Sequence, residues 1–302
     1  MKAGLKQWLL SGVGIWMSTT AFAGDGSFGW VYTLDLQPKG TFEFEQRLQL
    51  NQNQATGNYQ AWYSRTELEY GLTNDIQISG YINTSKITAQ GNYTNCDEGG
   101  PNPCTAGFGV NVPNGTNARY SKTRYDGASL EGIWRITNPI TSPVGIGLYV
   151  EPTFGPTMNS LEGRILLQSN FLNDKLVLAA NIAAESTTMK WQTANGEGPS
   201  LESELDVLFG ASYKFAPHWS AGLEAKQHNG YSGAHMNQTT QHAWFVGPTL
   251  GYSAKDWWVN ASYRRQLNGA VCVNGGQVDC SNGYAWEEFT KNEYLLKFGI
   301  PF

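Results

Sequence analysis

The chain ends Glu293-Tyr294-Leu295-Leu296-Lys297-Phe298-Gly299-Ile300-Pro301-Phe302, and the alternation in this stretch decides the fold. Successive side chains of a strand point to opposite faces, so Tyr294, Leu296, Phe298, Ile300 and Phe302 share one side. Glu293, Lys297 and Gly299 take the other. A helix would set Glu293 beside Leu296 and Lys297 and break the stripe. A strand greasy on one face and polar on the other suits a membrane β-barrel, with lipid outside and water inside.

The same period-two stripe recurs upstream. Phe42, Phe44, Leu48 and Leu50 alternate with Glu43, Glu45, Arg47 and Gln49; Leu68 and Tyr70 alternate with Arg65, Glu67 and Glu69. Further outward sets are Ile76, Ile78 and Ile82; Leu130, Trp134 and Ile136; Val144, Ile146, Leu148 and Val150; and Leu161, Ile165, Leu167 and Phe171. Then come Leu176, Leu178, Ala180 and Ile182, followed by the long stripe Leu201, Leu205, Val207, Phe209, Ala211, Tyr213 and Phe215. Trp219, Ala221, Leu223 and Ala225; Trp244, Val246, Leu250 and Tyr252; and Trp257, Val259, Ala261 and Tyr263 complete the series. With the terminal strand this predicts an all-β, antiparallel up-and-down barrel of about 12 strands, an even number as single-chain barrels require.

Link lengths support the count. Gly71–Asp75, Asn138–Pro143, Leu172–Lys175, Phe215–His218 and Ser253–Asp256 are short. They alternate with longer links at Asn51–Tyr59, Thr88–Ser121, Ser186–Pro199, His228–Gln241 and Asn268–Ala285, and only Gly155–Asn159 is short out of turn. Short turns belong in the periplasm and long loops outside. Tyr70, Trp134, Tyr213, Trp219, Tyr252 and Trp257 sit beside the short turns, where amphipathic rings form a headgroup-level girdle.

The N-terminus reads as an export signal. Lys2 and Lys6 precede an apolar stretch, Trp8 to Met17, and the small-residue site Ala21-Phe22-Ala23. That order predicts a signal peptide over residues 1–23, cleaved after Ala23. The apolar stretch is short for a span of about 20 residues. Charged residues are only 15%, aromatics reach 13%, and 35 of 302 residues are glycine. A soluble helical domain would carry more Lys and Glu. The net charge of −5 offers no basic footprint for nucleic acid. Residues 38–302 are assigned to the barrel in the outer membrane.

The run Phe28-Gly-Trp-Val-Tyr-Thr-Leu-Asp-Leu-Gln-Pro-Lys-Gly40 with Phe42-Glu-Phe-Glu-Gln46 is similar to an uncharacterised Gram-negative outer-membrane β-barrel family. Glu67-Leu-Glu-Tyr-Gly-Leu-Thr-Asn-Asp75 and Val246-Gly-Pro-Thr-Leu-Gly-Tyr252, with Trp257-Trp258, resemble the same family. The resemblance implies a barrel and no activity. Tyr294, Phe298, Ile300 and Phe302 resemble the signal read by the barrel-assembly machinery. Pro301 departs from its common form, which a strand end tolerates.

Candidate chemistry is sparse. His228, His235 and His242 lie around one expected external loop and could hold a transition metal at the rim, but no carboxylate cluster accompanies them and solvated loop histidines are the favoured reading. A lipase-like site needs a nucleophile, base and acid in reach. His218 falls in a turn, His228 points into the lumen, and Ser232 and Ser262 have no evident partners by strand register. No enzyme activity and no cofactor are expected.

The interior is richer. Glu43, Glu45, Glu67, Glu69, Glu131, Glu151, Glu162, Glu202, Glu204, Asp206, Glu224 and Glu293 should face inward, met by Arg47, Arg65, Arg135, Arg164, Lys214, Lys226, Arg264 and Lys297. These could be ion pairs filling a narrow lumen, or the lining of a small passage for a solute. Acids outnumber bases by about three to two, and the potential of an open passage would therefore favour cations. Glu202, Glu204 and Asp206 are the densest acidic set, able to pair instead with Arg164 or Lys226. Residues 24–37, with Trp30, Tyr32, Leu34 and Leu36 in alternation, could fold into the lumen or rest on the periplasmic rim; the inward fold is favoured. The expected reading is a narrow passive channel or solute-binding barrel in contact with outer-membrane lipid. The alternatives are a structural or surface-interaction barrel and a lipid-modifying enzyme.

Cys96 and Cys104, and Cys272 and Cys280, form two pairs with seven residues between their members, each inside one expected external loop. The export route favours disulfides over a zinc site, whose close Cys-x-x-Cys spacing is missing. Closing each ring removes unfolded-chain entropy worth roughly 2.5 kcal/mol. Peptide mapping without reduction should recover Cys96 linked to Cys104 and Cys272 linked to Cys280; four free thiols from envelopes would refute the pairing.

Overall fold

A computed structural model of the chain describes residues 26–54, 57–90, 104–106, 110–112, 119–190, 201–271, 273–274, 277–278 and 290–302. Among them, twelve strands close into one antiparallel barrel. They are β1 Phe42–Gln52, β2 Asn58–Gly71, β3 Ile76–Gln90, β4 Tyr120–Thr137, β5 Gly145–Phe154 and β6 Met158–Phe171. The circuit continues with β7 Leu176–Met189, β8 Leu201–Ala216, β9 Trp219–Ser232, β10 Gln238–Ser253, β11 Trp258–Val271 and β12 Asn292–Pro301. Two small hairpins, Cys104–Ala106 with Val110–Val112 and Val273–Asn274 with Gln277–Val278, lie between barrel strands in sequence. The export segment falls outside the described residues, as do Cys96, Cys272 and Cys280; only the backbone of Cys104 is described.

Each strand pairs with its sequence neighbours, and β1 pairs with β12 from Glu43 opposite Pro301 to Gln52 opposite Asn292. Closure leaves no strand edge with unpaired N–H and C=O groups, which hydrocarbon cannot solvate. The outward stripe is exposed along its length, including Leu130, Trp134, Leu148, Ile165, Phe209, Leu223 and Leu296. In water such a belt would aggregate; in lipid it is the stabilising surface. A lysine at a midplane outward position would cost about 2–4 kcal/mol.

Aromatic rings gather at the short-turn end. Tyr70, Phe42 and Phe302 contact in sequence, with centroids 4.6 and 5.8 Å apart. Trp219, Tyr252, Trp257 and Phe298 form a second run at 4.9, 5.2 and 6.3 Å. One bulge in β4, opposite Asn83 and Thr84, places Gly127 at φ 148°, where a Cβ would meet Phe154 O at 2.6 Å.

Two expectations are corrected. The link expected at His228–Gln241 shrinks to residues 233–237, because β9 and β10 extend to Ser232 and from Gln238. His228 and His242 therefore belong to strands, and of the three His235 alone is an exposed turn residue. The interior is also less uniformly polar than period-two logic implies. Ile133, Leu166, Val177, Leu208 and Leu295 are buried inside, because residues 26–37 lie against them.

Phe302 is more than a stripe end. Its N–H donates to Phe42 O at 2.8 Å and its carbonyl accepts from Phe42 N at 3.0 Å, extending the closing seam by one residue. Deleting Phe302 should lower the yield of the heat-modifiable folded form on unboiled denaturing gels. Full yield would refute a role for this residue in closure.

Candidate functional site

Residues Gly26 to Gln37 form a re-entrant plug in the short-turn half of the lumen. The chain starts beside β11, where Asn260 Nδ2 donates to Gly26 O at 3.0 Å. It reaches its innermost point at Gly29–Tyr32 and returns to the rim, where Gln37 N donates to Gln77 Oε1 at 2.8 Å and Lys39 N to Asn74 Oδ1 at 3.2 Å. Phe28, Val31 and Leu34 are fully buried.

A non-ladder segment inside a barrel needs partners for its backbone. The wall supplies them from separate strands. Gly29, Trp30 and Val31 donate their consecutive N–H groups to the Glu224 carboxylate of β9 at 2.7, 2.8 and 3.0 Å. Such a run of N–H groups is an anion-binding nest. Asn181 of β7 grips Tyr32 twice, accepting from its N–H at 2.7 Å and donating to its O at 2.9 Å. Gln168 of β6 accepts from Leu34 N at 2.6 Å, and Arg135 of β4 donates to Leu34 O at 3.0 Å. The side chains join in: Arg264 lies 4.2 Å over the Trp30 ring, and Arg164 lies 4.6 Å over that of Tyr32.

Inward glycines make the room. A Cβ on Gly210 would meet the Phe28 ring at 2.5 Å, and one on Gly147 would meet Leu34 at 2.4 Å. Around them Phe28, Trp30 and Val31 pack on Val177, Leu208 and Leu295, while Leu34 and Leu36 pack on Ile133, Tyr149 and Leu166.

On the long-loop side of the plug opens a cavity of about 360 Å³. Arg47, Arg65, Arg124 and Arg164 share its lining with Asp126, Glu151, Glu162 and Glu185, so the charges balance. Most are paired: Arg65 bonds Glu67 at 2.8 Å and Glu131 at 2.9 Å, Arg124 bonds Asp126 at 2.5 Å, and Arg164 bonds Glu162. Tyr63 and Tyr81 add hydroxyl-bearing rings, and the Arg65 guanidinium lies 3.4 Å over Tyr81.

The remaining charged positions fall in two places. Glu43, Glu45 and Glu69 meet near the short-turn rim, with Lys297 3.7 Å from Glu45. On β8 and β9, Asp206 is held by Lys226 at 2.5 Å and by His228 Nδ1 at 2.7 Å, while Glu204 lies 3.8 Å from that nitrogen. His228 is thus a buried member of a polar cluster and not a solvated loop histidine, since β9 continues past it. Glu202 and Lys214 sit towards opposite ends of β8 and are exposed, and Arg135 sits at the short-turn rim bonded to Asp75. Arg264 pairs with Glu293. Ser262 lies within hydrogen-bond distance of Thr249, Asn260 and Glu224.

Sequence reasoning missed the uncharged side chains that hold the plug, Gln77, Gln168, Asn181 and Asn260. A usable signal existed at Asn181, an inward amide between the small apolar residues Ala179 and Ala183.

These features define a membrane-spanning β-barrel carrying a plug formed by its own N-terminal segment. The chain belongs to a family of unknown function, DUF6662, whose model matches residues 20–302. No curated protein matches it. Among solved structures it is similar to the COG4313 outer membrane channel from Pseudomonas putida F1, at 10% identity, TM-score 0.56, covering 92% of this chain and 98% of that one. It is also similar to the NanC porin, at 10% identity, TM-score 0.50, covering 86% and 98% respectively. At these identities the likeness establishes the barrel fold.

Replacing Glu224 by Ala removes the acceptor for three buried N–H groups and should cost on the order of 3 kcal/mol or more. The Trp30 environment should loosen, read as a red shift of emission or faster acrylamide quenching against a Trp30→Phe reference. Unchanged stability and quenching would mean that Glu224 does not anchor the plug.

Proposed function

We propose that the protein is exported through a signal cleaved after Ala23 and works in the outer membrane as a narrow passive channel or binding barrel for a small polar solute, without covalent chemistry. The observation that carries this is the 360 Å³ cavity on the long-loop side, whose lining residues Gln49 and Arg164 contact Trp30 and Tyr32 of the plug. Its lining sets paired arginines and carboxylates beside tyrosines, a surface for polar groups of either charge and poorly matched to hydrocarbon. The COG4313 protein is described as an outer membrane channel and NanC as a porin, which supports the same class here. The lipid belt and the Phe302 seam make membrane lipid and the assembly machinery the natural partners.

The balanced lining narrows the charge argument. The excess of acids lies near the short-turn rim and on β8 and β9, so cation preference should arise away from the cavity. A second reading is supported by the plug itself, whose backbone is bonded around the wall: a sealed, structural barrel.

Planar-bilayer recordings separate the two. The full chain should show small, cation-preferring conductance, weakening as salt rises because charges are screened over about 10 Å at 0.1 M. Removing residues 26–37 from the mature chain should raise conductance severalfold. Clear anion preference would overturn the charge assignment, and a full-length barrel with no conductance at all would favour the sealed form.

A further inference from the structure

We propose that the short-turn base of the lumen binds a divalent cation, calcium by its chemistry, between Glu43 and Glu45 of β1, Glu69 of β2 and the side-chain carbonyl of Gln37 on the plug. The three carboxylates offer oxygens that all lie within 4.8 Å of one another. Glu43 and Glu45 are buried, and burying like charges together is costly without a counter-charge. Lys297, 3.7 Å from Glu45, supplies one positive charge to the three, leaving the set two negative charges in excess.

A second observation points to the ligand. Gln37 is 2% exposed, and its Oε1 is a buried acceptor with no hydrogen-bond partner. Its Nε2 lies 3.5 Å from Glu69 Oε2, which places the amide at the cluster. A half-turn of that amide, equivalent in shape, would present the carbonyl to the carboxylates, an arrangement that a cation between them makes favourable. Glu43 is in the same condition: Trp258 Nε1 donates to its Oε1 at 2.9 Å, and its Oε2 is buried without a partner. Three carboxylates and an amide carbonyl are hard oxygen donors in irregular geometry, which suits calcium better than magnesium, with its demand for a regular octahedron. A cavity of about 30 Å³ lined by Gln37, Glu45 and Glu69 has room for a small ion or its water and for no organic solute. Bound there, the ion would tie the plug to β1 and β2.

The competing account of such close carboxylates is a shared proton, and terbium distinguishes them. The full mature barrel, folded in detergent and stripped with chelator, is titrated with Tb³⁺ while its tryptophans are excited, Trp258 being hydrogen-bonded to a proposed ligand. The expected result is saturable sensitised emission, displaced by Ca²⁺ more readily than by Mg²⁺. Glu69→Gln should weaken apparent affinity by at least about tenfold, and Gln37→Leu, which leaves every wall strand unchanged, should also weaken it. Where Glu69→Gln fails to give the heat-modifiable form, Gln37→Leu decides. Absence of saturable emission, or emission indifferent to these substitutions, overturns the site.

Discussion

Backbone pairing between β1 and β12 is the constraint on which the rest of the molecule depends. In hydrocarbon an unpaired N–H or C=O costs several kcal/mol, so the sheet must meet itself. The seam from Glu43–Pro301 to Gln52–Asn292, lengthened by the two bonds between Phe42 and Phe302, completes the circuit. Once closed, the barrel assigns a solvent to each face. Outward residues are chosen by lipid; inward residues must satisfy one another, or water, or whatever enters.

What enters is the chain itself. Residues 26–37 have no strand beside them, so wall side chains perform the work that a ladder performs elsewhere. Glu224, Asn181, Gln168, Arg135, Gln77 and Asn260 come from six strands around the wall and bond the segment's backbone. Apolar contacts fill the spaces between these bonds, and glycines at Gly147 and Gly210 act as moulds for Leu34 and Phe28. The plug and the wall are complementary in shape and hydrogen bonding.

The barrel was legible because lipid imposes one rule on every strand, an apolar side chain at alternate positions, as along Ile146, Leu148 and Val150 or along Leu296, Phe298 and Ile300. Rules of that kind survive without knowledge of neighbours. The interior was less legible because its partners are set by register and by a distant segment. Asp206 could have met Arg164 or Lys226 on spacing alone; the pairing of β8 with β9 brings it to Lys226 and His228. The reach of β9 and β10 beyond His228 was hidden because their outer ends carry polar residues on both faces, where no stripe can form. Leu166, Val177, Leu208 and Leu295 are inward and apolar, and their exception to the rule marks where the plug rests.

The two ends of the plug leave through the same opening, Gly26 beside Trp258 and Gln37 beside Gln77. Among the described residues, no segment runs through the cylinder from one mouth to the other. The segment can therefore be seated after the wall has closed, like a cork pushed in from below. It can also be drawn out again without parting any pair of strands. Assembly of the cylinder and filling of its interior are thus separable events, joined only by the short tether from Pro38 to Thr41.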